Sequence, residues 1–243
     1  MVAACYKIWN EAQTIADSMR SVKAYVDRFI VIDGAYSTNP FLGPVASIDN
    51  TREIVEAITR PLPLTYIVTP ERMVEHEARN LYIALAHPGE WLWLLDGDEI
   101  LYGDYGEITG LVEHPPVCGA ADLRVLTTAV WLGQGGRVGY VEDVLTAGAD
   151  KETYANAAVV ATAGWQPRFV RNDPGLLWRP TWVGMGMTRP GIGPGGALVG
   201  ERSNAAWIIN HHVAQPYSGY VRDYAWETNQ QQVDLGIAAR GGM

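Results

Sequence analysis

Asp96, Gly97, Asp98 and Glu99 follow directly on the apolar run Trp91–Leu95. Carboxylates this close repel one another unless a cation joins them, and oxygen ligands of this hardness suit Mg2+ or Mn2+. Mg2+ typically takes one or two carboxylates and completes its shell with substrate phosphates. A D-x-D at a strand end therefore reads as a device for holding a metal-bound diphosphate. Asp96 and Asp98 would be the ligands, and Gly97 would let the backbone turn tightly between them. Isolated D-x-D triplets are common by chance, so other readings must be weighed. An EF-hand loop beginning at Asp96 fails, because its sixth position is Leu101 rather than glycine. A phosphatase-type D-x-D follows the first strand of its sheet, whereas this one follows the fourth.

The surrounding pattern supplies the elements that would position these groups. Val2 to Ile8 reads as a strand ending at Trp9-Asn10-Glu11. Ile15, Met19, Val22 and Val26 then recur on one helical face. Phe29 to Ile32 is a second strand, ending at Asp33-Gly34, and "AYSTNPFLGPVASIDN" reads as a loop. "TREIVEAI" is helical, "LTYIV" is a third strand, "EHEARNLYIALA" is helical and "WLWLL" is the fourth strand. Strands alternating with helices predict a parallel sheet covered on both faces, and "FIVID" and "WLWLLD" have the unbroken apolar character of strands buried on both sides. In such sheets ligands bind beyond the carboxyl ends of the strands, which is where Asn10, Asp33 and Asp96 fall. Past residue 104 the pattern weakens. "LRVLTTAVWL" reads as a strand, "QPRFVRNDPGLLW" as a hairpin, "TRPGIGPGGALVGE" as a loop, "AAWIINHHV" as a last strand and "GYVRDYAWETNQQQVDLG" as a helix.

The chain of 243 residues carries 18 Lys and Arg against 27 Asp and Glu, a net charge of −9 that argues against a generally basic nucleic-acid binder. The balance is local, however. Between Trp165 and Arg202 the basic residues Arg168, Arg171, Arg179, Arg189 and Arg202 stand against Asp173 and Glu201. This segment predicts a positive surface for an anionic group, with Arg168 and Arg171 facing the reaction crevice. No apolar run reaches the roughly 18 residues of a membrane span, and the N-terminus has no signal-peptide pattern. Cys5 and Cys118 form no metal or disulfide spacing. A cytoplasmic protein without a membrane span is expected.

The segments "WNEAQTIADSMRSV", "YVDRFIVIDGAYST", "DNT", "EARNLYIALA" and "GEWLWLLDGDE" resemble, in order and spacing, the family 2 type GT-A glycosyltransferases over residues 3 to 101. "QPRFVRNDPGLLW" and "INHH" look like later segments of one subgroup of that family. The resemblance implies a GT-A, Rossmann-like α/β fold, with a mostly parallel sheet, flanking helices and an irregular C-terminal acceptor-side region. Residues 1–104 would form the nucleotide-sugar-binding half and 105–243 the acceptor-side half of a single domain. It further implies that Asp33 hydrogen-bonds the nucleotide base, that Asn10 and Glu11 line the same pocket, and that Arg79 lies near the diphosphate or helps place the D-x-D segment. Asp98 would be the main metal ligand, with Asp96 nearer the sugar or ribose. A late histidine would complete the metal shell, His211 by alignment and His212 as the close alternative. Adjacent strand residues face opposite ways, so one of the pair would point at the metal.

The chain also departs from the family. The usual "STDNT" run reads as split, with Ser37-Thr38 separated from Asp49-Asn50-Thr51 by "NPFLGPVASI", and "RPTWVGMGM" stands where the subgroup has "HE". The catalytic base is then sought in Glu142-Asp143, since an inverting transferase needs a carboxylate to deprotonate the acceptor hydroxyl. The expected function is a Mn2+- or Mg2+-dependent, hexosyltransferase-like glycosyltransferase. It would move a sugar from a nucleotide-diphosphate donor, a UDP-sugar, to a hydroxyl of a glycan, a protein or a modified DNA base. A GT-A-like module that binds nucleotide sugars without catalysis is the alternative. A nucleotidyltransferase is disfavoured, because no glycine-rich loop follows "ACYKIW".

Overall fold

Strand β1 (Val2–Ile8) is buried along its whole length, as a central strand covered on both faces must be. In the computed structural model, which describes residues 1–37, 44–132, 157–181, 184–190, 192 and 197–211, it is followed by helix α1 (Ile15–Val22), β2 (Arg28–Asp33), α2 (Thr51–Thr59), β3 (Leu64–Val68), α3 (Glu75–Leu85) and β4 (Trp91–Asp96). Then come β5 (Glu99–Tyr102), α4 (Tyr105–Glu113), β6 (Ala120–Leu132), β7 (Ala157–Arg171), β8 (Leu177–Thr181), β9 (Gly184–Thr188) and β10 (Glu201–His211). One sheet has the order β3-β2-β1-β4-β7-β6-β10-β5, and β8 and β9 form a separate antiparallel pair. β1 pairs in parallel with β2 and β4, and β2 with β3, while β4 pairs antiparallel with β7. This is the Rossmann-like, mostly parallel arrangement with flanking helices expected from the sequence. Among the described residues, no helix is long and apolar enough to cross a membrane.

The pleat sorts the core into two layers. Val2, Ala4, Tyr6 and Ile8 of β1 pack with Phe29, Val31, Trp93 and Leu95 and with the inner faces of α1 and α2. Ala3 and Cys5 pack on the other side with Ile30, Ile32, Leu92, Leu94 and Tyr82 of α3. By the same alternation Lys7 and Asp96 belong to the α3 face and Asp33 to the α1–α2 face.

The chain divides into two compact units, Met1–Val125 with Ala163–Ile209, and Leu126–Thr162 with Asn210–Met243. The expected division at residue 104 falls inside the first unit, between β5 and α4. Neither of these elements was read from the sequence. Asp104 caps α4 by accepting hydrogen bonds from the N–H groups of Gly106 and Glu107. The expected hairpin in "QPRFVRNDPGLLW" does not form, because β8 leaves β7 to pair with β9. The helix expected in "GYVRDYAWETNQQQVDLG" lies outside the described residues.

At the amino end of the parallel strands, Arg28 clasps Glu90 through Nε to Oε1 at 2.9 Å and Nη2 to Oε2 at 2.6 Å, and His87 N donates to Oε2 at 2.8 Å. Burial alone would raise the Glu90 carboxyl, but Arg28 and the His87 N–H outweigh it and hold the group below its ordinary value. Its stabilisation is therefore present above the unfolded carboxylate value and is lost as pH falls through the lower folded one. Glu90→Gln is expected to cost about 3 kcal/mol at pH 7, in the range for breaking a buried pair. Urea unfolding of both proteins should show that gap narrowing by pH 3, and a gap of constant size would refute the assignment.

Candidate functional site

The register of the parallel strands aligns the site. Ile8 of β1 lies opposite Asp33 of β2, and Lys7 of β1 opposite Asp96 of β4. Thus Lys7 and Asp96 stand side by side on the α3 face, and Asp33 lies beside Ile8, one position further on and on the other face, with Asn10 and Glu11 in the loop that leaves β1.

Asp33 is 2 % exposed. Its carboxylate accepts hydrogen bonds from Ser47 Oγ at 2.7 Å, from Ser47 N at 3.1 Å and from Tyr66 Oη at 3.0 Å. The same serine receives Asn10 N at 2.9 Å, while Ile48 N donates to Asn10 Oδ1 at 2.9 Å. Glu11 N donates to Thr51 Oγ1 at 2.8 Å and Ala12 N to Asp49 Oδ2 at 3.1 Å. The run Ser47-Ile48-Asp49-Asn50-Thr51 is therefore one hydrogen-bonded cap on the end of β1. Ser37 N instead donates to Met73 O. Asn10 adopts a positive φ of 54°, a conformation asparagine tolerates well, and this aims its oxygen at the cap.

Asp96 meets a buried arginine. Arg79 Nη2 donates to Asp96 Oδ2 at 2.8 Å and lies 2.7 Å from Oδ1, while its Nε binds Glu75 Oε1 at 2.9 Å. The guanidinium is also 5.2 Å from the Trp178 ring of β8. Asn80 and the Trp178 backbone exchange hydrogen bonds of 3.0 and 2.7 Å, which ties β8 to α3. Burial would raise the Asp96 carboxyl, but Arg79, Arg168 and Lys7 together hold it below its ordinary value.

Glu99 is fully buried and pairs with Arg168 Nη2 at 2.5 Å, and its Oε2 accepts Asp96 N at 3.0 Å. Arg168 Nη1 donates to Leu94 O at 3.2 Å. Burial, reinforced by the charges of Asp96 and Asp98, pushes the Glu99 carboxyl up to about 7 against the pull of Arg168. The crowded acids at 96–99 are thus met in part by the protein's own arginines. Gly97 is required for a reason other than a tight turn. A Cβ there would stand 2.7 Å from Glu11 Cγ and 3.0 Å from Glu11 Cβ, so glycine allows the β1 loop to close onto the D-x-D segment.

The structure gathers Asn10, Glu11, Asp33, Arg79, Asp96, Asp98 and Arg168 at one end of the sheet. It does not bring Arg171 to them. Antiparallel pairing of β7 sets Arg171 opposite Trp91, at the far end of β4, where it binds Asp173 at 2.7 Å. Arg189 contacts the same aspartate at 3.4 Å. With Arg168 engaged by Glu99, much of the basic excess of the 165–202 segment neutralises acids inside the fold. His211 closes β10 with its side chain outside the described residues, and Glu142, Asp143 and His212 lie wholly outside them. Sequence reasoning missed Lys7, Tyr36, Ser47 and Tyr66. Of these, Lys7 left a signal: a lysine inside a strand otherwise apolar on both faces.

Among the described residues, no group of three or more His, Cys, Asp and Glu side chains is placed to hold a metal ion. Arg79 Nη1 is nevertheless a buried donor without a hydrogen-bond partner among the described residues, and Asp96 Oδ1 faces Arg79 Nη2 at 2.7 Å as an ion pair outside hydrogen-bond geometry. An anionic oxygen fits the free donor, and a hard divalent cation at Oδ1 would share that oxygen with Arg79.

The sheet order and register define a Rossmann-like, mostly parallel α/β fold. Residues 1–349 of S. aureus TarS are similar at a TM-score of 0.35 and 17% identity, covering 57% of this chain and 38% of that one. The same protein in complex with UDP-GlcNAc gives 0.36 and 18%, covering 57% and 37%. The likeness spans well under half of those chains, and the fold assignment rests on the sheet itself. No protein-family model matches the chain, and no curated protein does.

Proposed function

We propose that the chain is a glycosyltransferase that binds a UDP-sugar beyond the carboxyl ends of β1, β2 and β4 and transfers its sugar to an acceptor hydroxyl. The observation that carries this reading is the convergence of Lys7, Asp33 and Asp96 at the carboxyl ends of three adjacent parallel strands, where α/β sheets bind their ligands. Asp98 and Asp96 would hold Mn2+ or Mg2+, with His211 or His212 as a further ligand. The chemistry such a cation supplies is neutralisation of charge on the departing nucleoside diphosphate. Arg79 orients Asp96, and Glu99 fixes the D-x-D backbone by accepting Asp96 N. Asp33, with Ser47 and Tyr66 around it, is the polar corner for the base, and Glu142 or Asp143 would deprotonate the acceptor. The acceptor belongs to a glycan, a protein or a hydroxylated DNA base.

The test is release of nucleoside diphosphate from a panel of UDP-, GDP- and ADP-sugars, with Mn2+ or with chelator. Release from UDP-sugars, dependent on the metal and lost in a folded Asp98→Ala variant, is expected. Nucleotide binding without any release or transfer would instead mark a binding module, and preference for ADP- or GDP-sugars would overturn the uridine assignment.

A further inference from the structure

Lys7 is the one buried lysine among the described residues, 5 % exposed in a strand whose other members are apolar. Its Nζ donates to Ile8 O at 3.2 Å and to Gly34 O, which accounts for two of three ammonium protons. The ammonium also stands 4.4 Å from the centre of the Tyr36 ring. Tyr36 follows two residues after Gly34 and is held in place by a bridge to Met73, beside the loop that leads into α3. Arg79 and Arg168 serve the same end of the sheet. Arg79 is engaged by Asp96 and Glu75, and Arg168 by Glu99. Lys7 has no carboxylate within salt-bridge distance among the described residues, yet it shares the α3 face with Arg79 and Asp96. A buried ammonium satisfied only by carbonyls is costly, and an apolar side chain of similar length would hold the strand more cheaply.

We propose that Lys7, seated on Tyr36, is the cation that takes the diphosphate of the nucleotide donor. This rests on the nucleotide-sugar reading above. The ammonium donates to a phosphate oxygen on the side of the D-x-D segment. Tyr36 keeps the aliphatic stem and charge from folding back into the core, through the attraction of its ring face for the cation.

The experiment is calorimetric titration of UDP, uridine and inorganic pyrophosphate into wild type, Lys7→Met and Tyr36→Leu, with Mn2+ present throughout. Lys7→Met is expected to weaken UDP and pyrophosphate by about tenfold or more, the loss of one charge-assisted hydrogen bond, and to leave uridine within about threefold. Its melting temperature should match or exceed that of wild type. Tyr36→Leu, which retains the lysine, should show a smaller loss of the same pattern. Equal weakening of UDP and uridine, or UDP affinity unchanged in both variants, would show that Lys7 only ties β1 to β2. If Lys7→Met does not fold, the Tyr36→Leu pattern decides alone. A wild-type protein that binds none of the three ligands would instead refute the nucleotide-sugar reading itself.

Discussion

Replacing Arg168 by methionine is expected to lower stability by about 3 kcal/mol, because it leaves the fully buried Glu99 without its cation, to bind a proton or stand as an unpaired charge. For a chain of this size, that is a fall in melting temperature on the order of 10 °C. The loss belongs to the pair rather than to the arginine alone. Glu99 also accepts Asp96 N at 3.0 Å, so the variant should loosen the turn that carries Asp98. The double variant Arg168→Met/Glu99→Gln removes the stranded charge and should regain most of the stability while keeping an acceptor for that N–H. Urea unfolding at pH 7 of the wild type, both single variants and the double variant gives the coupling directly. Additive losses would mean that the two residues do not act as a buried pair.

Arg79→Met is expected to have a smaller effect on the fold and a larger one on ligand binding. Asp96 keeps an edge toward solvent, with its side chain 28% exposed, so the unpaired carboxylate can be partly hydrated and the loss should be about 2–3 kcal/mol. Arg79 holds both Asp96 and Glu75, and its remaining Nη1 has no protein partner among the described residues. Without it, Asp96 is no longer oriented, and the donor for an anionic ligand is gone. UDP affinity should fall by on the order of a hundredfold or more, as when a desolvated charge partner is removed. A folded Arg79→Met protein that binds UDP as wild type does would place the nucleotide elsewhere.

The parallel half of the fold was legible because its strands are buried on both faces and end abruptly in polar residues. "FIVID" and "WLWLLD" have no alternation to confuse, and the turn at each end announces itself with glycine. Asp33 and Asp96 were found for that reason, and Arg79 through the resemblance of its segment to a known family. What could not be read were contacts that join distant segments. Arg168 and Glu99 lie 69 positions apart, and nothing local in either segment selects the other. Register was equally hidden. Arg168 and Arg171 look alike in sequence, yet antiparallel pairing of β7 with β4, packed by Phe169 between Trp91 and Trp93 at 4.7 and 4.4 Å, sends them to opposite ends of the sheet. The cap at Ser47 could not be read either, because it is set by bonds to Asp33 and Asn10, which lie far from it in sequence. Lys7 passed as an ordinary strand lysine, since one polar residue in seven does not reveal that both faces are covered.

Calorimetric titration of UDP into the wild type and Asp98→Ala, each with Mn2+ and with chelator, tests the central claim most directly. Metal-dependent UDP binding by the wild type is expected, and Asp98→Ala should lose the metal dependence while its melting temperature stays within a few degrees. Asp98→Ala that binds UDP with unchanged affinity and unchanged metal dependence would contradict the assignment of the crevice beyond β1, β2 and β4 as a nucleotide-sugar site.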